Sequence, residues 1–141
     1  MDKDRFRIVL REIDQHSDAL LIAASALAER HRPLSFSQAN GLMTVVNCEN
    51  NINTVLINYI QRQASKSTTR AEEKAFWSDL KKEVDGLRKQ ADVIQQNLGG
   101  MAPDKKVQQE QRNQIHLLLA RDYVQHLVAH IIYRSKMTGE E

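Results

Sequence analysis

One cysteine, two prolines and five glycines are all that this 141-residue sequence holds of the residues that staple, kink or punctuate a chain. The single thiol, Cys48, cannot form an internal disulfide and agrees with a reducing compartment, so a cytosolic protein is expected. So few Gly and Pro exclude a sandwich or barrel that turns back every ten residues or so. Aromatic residues reach only 5%, which leaves little to stack on unpaired bases. No apolar run approaches the ~18 residues of a membrane span. The charged opening, MDKDRFRIVLREID, does not read as a secretory signal. Glycine-rich phosphate loops, cysteine pairs at zinc spacing and nucleophile elbows are missing too, so neither a cofactor nor a metal is expected.

What is there fits one ordinary domain covering residues 1–141. Hydrophobic residues make up 41% and charged residues 27%, a composition that folds. Four stretches follow helical periodicity. Phe6, Leu10, Ile13, Leu20, Ala24 and Leu27 predict a helix over about 3–31, stopped by Pro33. Ser35 and Gln38 form a capping box for a second helix, about 36–64. Its middle, Asn47 to Asn53, holds four asparagines and predicts a bend or break. Thr69 and Glu72 make another capping box, and the third helix carries Phe76, Leu80, Val84, Leu87, Ala91, Ile94 and Leu98 on one stripe. Gly99 and Gly100 after Leu98 predict a left-handed terminus. Pro103 and Asp104 open a fourth helix, about 104–137. The fold class is all-α, a single bundle of four or five helices.

That last helix is apolar around most of its circumference between Ile115 and Tyr133. Leu117, Leu118, Leu119, Val124, Leu127, Val128, Ile131 and Ile132 cover too many directions for one core. One side is expected to meet the bundle and the other a second chain, so self-association through this helix is predicted.

Net charge is only +2, but its distribution is uneven. From Leu87 to Lys136 the bases outnumber the acids, as on a nucleic-acid surface. The candidate RNA-binding residues are Lys81, Lys82, Arg88, Lys89, Lys105, Lys106 and Arg112. Lys105, Lys106 and Arg112 sit in the first turns of the fourth helix, where positive charge opposes the dipole. That placement suggests a use other than helix stability, with phosphate as the obvious ligand. The competing reading is a solvated surface of mixed charge.

Chemistry, if any, must come from the last helix. Asp122, His126 and His130 fall at i, i+4 and i+8 on one face, a spacing that could hold zinc or iron. Alternatively they form a polar interface in which Asp122 accepts from His126. Arg121, Asp122 and His126 also resemble the Arg-x-x-x-x-His motif of HEPN-type ribonucleases, although asparagine is commoner at the second position there. That resemblance implies a metal-independent ribonuclease in which Arg121 steadies the phosphate and His126 moves a proton.

A second resemblance covers most of the chain. Leu34, Ser35, Phe36, Ser37 and Gln38, followed much later by Asp122, Tyr123, Leu127, Val128, Ala129 and Tyr133, resemble the cap and closing helix of the small helical subunit of type III-A CRISPR effector complexes. The pattern departs at Ala39 and Asn40, where the family tends to carry an arginine. The resemblance implies a non-enzymatic antiviral-defence subunit of a cytoplasmic ribonucleoprotein, lining the path of a guide–target RNA duplex beside other effector subunits. The remaining alternative is a helical adaptor or chaperone without nucleic-acid contact.

Overall fold

The computed structural model describes residues 2–31, 34–47, 56–66, 70–99 and 104–138. Within them the chain is an all-α bundle: α1 (Lys3–Arg30), α2 (Phe36–Val46), α3 (Asn58–Ser65), α4 (Ala71–Gly86), α5 (Arg88–Asn97) and α6 (Lys105–Thr138). Since α4 and α5 abut at Leu87, they act as one interrupted arm, and the bundle has five rods.

Local chemistry explains the ends. Asp2 caps α1 by accepting from the Arg5 amide, and Ser35 with Gln38 closes both halves of the α2 capping box. The predicted 36–64 helix is two helices. α2 stops at Asn47, whose amide turns back to Met43 and Val45, and α3 begins eleven residues later at Asn58. Asparagine at the stop is the expected reason. The 69–98 helix is interrupted as well: the Leu87 amide bonds to the Val84 carbonyl at 3.2 Å, tightening the turn. Gly99 adopts φ +67° and ends α5 in the left-handed region, as the sequence predicts. Thr69, Pro33, Gly100, Pro103 and most of the asparagine run lie outside the described residues.

Helix directions follow from paired side chains. Ser17 meets His126, and further along both helices Glu29 meets His130, so α1 and α6 run parallel. On the other flank Val84 meets His116, Asp92 meets Arg112 and Gln95 meets Gln108, so the α4–α5 arm runs antiparallel to α6. α6 is the axis on which α1, α2 and α5 pack, while α3 lies on α4. Trp77 and Phe76 stack edge to face at 5.4 Å, and with Tyr123 they are the largest fully buried side chains.

The expectation of a two-sided last helix is corrected here. Leu117, Leu119, Val124, Leu127, Val128 and Ile131 are all buried, and Leu118 and Ile132 pack partly against the same core. Three neighbouring rods surround α6, so its apolar circumference is used within the chain. Among its described residues only Val107 and Tyr133, near its two ends, leave a large apolar side chain in solvent. The premise for self-association through the middle of α6 is gone.

Candidate nucleic-acid interface

The seven basic candidates do not share one surface. Lys81 is paired with Asp85 at 3.0 Å within α4. Lys82 borders a hollow between α1, the α4–α5 arm and α6. Arg88, Lys89, Lys105 and Lys106 are exposed. Lys105 and Arg112 line a different hollow of about 350 Å³ on the α5–α6 seam, together with Asp92, Gln95 and Gln108.

This seam is pinned by Gln95, whose amide nitrogen donates to the Gln108 carbonyl at 2.7 Å and to Gln111 Oε1 at 3.1 Å. Arg112 reaches Asp92 at 3.7 Å, and its buried Nε has no hydrogen-bond partner among the described residues. A buried donor left in this way favours an added acceptor. Arg88 belongs to the same neighbourhood. His116, one turn beyond Arg112, is held below the ordinary histidine range chiefly by burial, with Arg88 and Arg112 adding like-charge repulsion. Its Nε2 donates to the Val84 carbonyl at 2.7 Å. At the start of α6, Asp104 Oδ1 accepts from the Lys106 amide at 2.9 Å, offsetting part of the unfavourable charge placement.

Other bases of the C-terminal half serve the bundle. Arg121 Nε donates to the Val46 carbonyl at 2.8 Å, and Arg134 donates to the Ala28 carbonyl at 2.8 Å. Arg121 and Arg134 thus each satisfy an orphan carbonyl at the C-terminus of a neighbouring helix.

The Asp122, His126 and His130 stripe is an interhelical seam. Ser17 Oγ lies 3.0 Å from Asp122 Oδ2 and 2.9 Å from His126 Nε2, which is itself 3.2 Å from Asp122. The hydroxyl has one proton. Because a carboxylate only accepts, Ser17 donates to Asp122 and His126 Nε2 donates in turn. A nucleophilic serine needs that nitrogen as an acceptor and the carboxylate on the opposite ring nitrogen, so this triangle is not a hydrolase triad. His130 turns instead to Glu29 at 2.8 Å. Among the described residues no three His, Cys, Asp or Glu side chains gather as metal ligands. The ribonuclease pair also diverges, with Arg121 directed to α2 and His126 to α1.

No protein family, curated protein or solved structure matches the chain. Sequence reasoning missed Ser17 and Gln95, because each acquires its role from a partner that only the tertiary fold supplies. Ser17 is 105 residues from Asp122. Among the described residues no helix is long and apolar enough to cross a membrane.

Proposed function

We propose that this protein is a non-enzymatic module that binds the RNA backbone along its α5–α6 seam. The observation that supports it best is the meeting of Lys105 and Arg112 at one polar hollow, where the buried Arg112 Nε lacks a partner. Arg88 flanks them through the His116 environment, and Lys106 and Lys89 stand exposed beside them in sequence. A phosphate oxygen would accept from Arg112 and release condensed counterions, the usual source of affinity for a polyanion.

The finer assignment is a small assembly subunit of a type III-A CRISPR-type effector, with a guide–target duplex and neighbouring subunits as partners. It rests on the cap and closing-helix resemblance. Of the residues that carry it, Leu34, Tyr123, Leu127 and Val128 are buried, so the resemblance speaks for a scaffold, while the basic seam speaks for RNA.

Charge reversal separates the seam from the rest of the surface. Lys105→Glu should weaken binding of a short RNA duplex about tenfold or more, whereas Lys81→Glu, at a residue already paired with Asp85, should change it little. Equal effects of both substitutions would dissolve the seam into a diffuse field. Purified protein should leave RNA intact; cleavage abolished by His126→Ala in a folded variant would replace this reading with the ribonuclease one.

A further inference from the structure

We propose that the outward face of α1 is a self-association surface, on which a second copy of this chain docks antiparallel through its own α1. The surface is separate from the α5–α6 seam and does not depend on the RNA reading.

α1 buries Val9, Ile13, Leu20, Ala24 and Leu27 against the bundle, all on one side of the helix. The opposite side carries its charge in two blocks. Lys3, Arg7 and Arg11 follow one another at i, i+4 and i+8, and Asp14 and Asp18 come next at i and i+4. All five are exposed, and none has an ion-pair partner among the described residues. Like charges four residues apart repel, so each block works against the helix that carries it. Alternating signs, the usual pattern of a solvated helix face, would remove that repulsion. Just beyond the acidic block stand Leu21 and Ile22, 42% and 70% exposed. Ile22 is the most exposed large apolar side chain among the described residues.

The order of the signs selects the occupant. A partner of one charge sign would satisfy half of this strip and be repelled by the other half. A second α1 laid antiparallel satisfies all of it. With Arg11 opposite Asp14 of the second copy, Arg7 comes opposite Asp18 and Lys3 opposite Ile22, whose methyl groups lie on the alkyl stem of the lysine. Two-fold symmetry then repeats every ion pair and every apolar contact. Asp4, the one acid within the basic block, falls opposite Leu21 at the end of the strip, where it keeps its hydration. The overlap covers residues 3–22 of each copy, about 30 Å of helix. A strip one helix wide is at the small end of specific interfaces, so the dimer is weak, with Kd on the order of 0.1 mM.

The experiment is sedimentation equilibrium of the full chain from about 5 µM to 1 mM, with circular dichroism of every variant. The parent should pass from monomer to dimer, and about 500 mM salt should move that transition to higher concentration. Arg7→Asp with Arg11→Asp makes the strip acidic throughout, and Asp14→Lys with Asp18→Lys makes it basic. Each double variant alone should associate at least about tenfold more weakly than the parent, and an equimolar mixture of the two should recover dimers. Misfolding cannot produce that recovery. Ile22→Ser, which leaves net charge unchanged, should also weaken the dimer several-fold. A parent that stays monomeric at about 1 mM, or a mixture that stays monomeric, overturns the proposal. A dimer indifferent to the charge swaps or to Ile22→Ser places the contact on another face and overturns it equally.

Discussion

Val128 tests whether α6 is the interior axis of one chain or a seam between two. The residue is 3% exposed, and its helical neighbours Val124, Leu127 and Ile131 are at most 2% exposed. Val128→Ala removes two methyl groups, worth about 2 kcal/mol with the cavity included. In a protein of this size that lowers Tm by about 6–8 °C. Val128→Glu is far worse, because a carboxylate without a cation in the core carries a penalty of several kcal/mol. A domain holds only about 5–15 kcal/mol in total. The glutamate variant should therefore lose its helical circular dichroism or melt at least about 15 °C below the parent. Sedimentation beside circular dichroism makes the measurement decisive. A folded glutamate variant that sediments as a smaller species than the parent would show that Val128 faces a second chain, and the packing described above would be wrong.

Three further perturbations have signs fixed by the structure. His116 resists protonation when folded, while the unfolded chain takes up its proton near pH 6.5. Stability present above that pH should fall as the pH drops through it, and His116→Gln, which keeps a donor for Val84, should flatten the decline in urea titrations between about pH 7 and 5. At lower pH, Asp79, held below the carboxylate range by its hydrogen bond to His31, and Glu29, held down by His130, lose their share of stability as they protonate. Arg121→Ala should lower stability by about 1–3 kcal/mol in denaturant unfolding, because the Val46 carbonyl loses its donor; an unchanged midpoint would remove the capping role. Gly99→Ala, at φ +67°, should cost about 1 kcal/mol by the same assay, and a neutral result would contradict the left-handed terminus.

The helices were legible where local chemistry decides them. Ser35 with Gln38, and Gly99, act through neighbours within a few residues, and the ends they mark stand where the sequence puts them. Leu87 was invisible because it keeps its place in the apolar stripe: periodicity reports which way a side chain points, not whether the turn has tightened behind it. What covers α6 is hidden from the sequence for a related reason. An apolar circumference says that all sides are covered, but not by what, and here α1, α2 and α5 cover them. The site was legible only as a charge bias. Which bases join at a seam (Lys105 and Arg112) and which cap helices (Arg121 and Arg134) depends on carbonyls and carboxylates brought in from other helices.

The salt dependence of RNA binding tests the central claim most directly. Each phosphate neutralised on a duplex contributes roughly 0.9 to the slope of log affinity against log salt. Replacing Lys105, Lys106 and Arg112 together by Ala should flatten the slope of the parent by up to about 2.7, over a window of about 50–300 mM salt, with the fold intact by circular dichroism. A parent that binds no RNA at the low end of that window, or a triple variant whose slope equals the parent's, would contradict the assignment of the α5–α6 seam as an RNA-backbone surface.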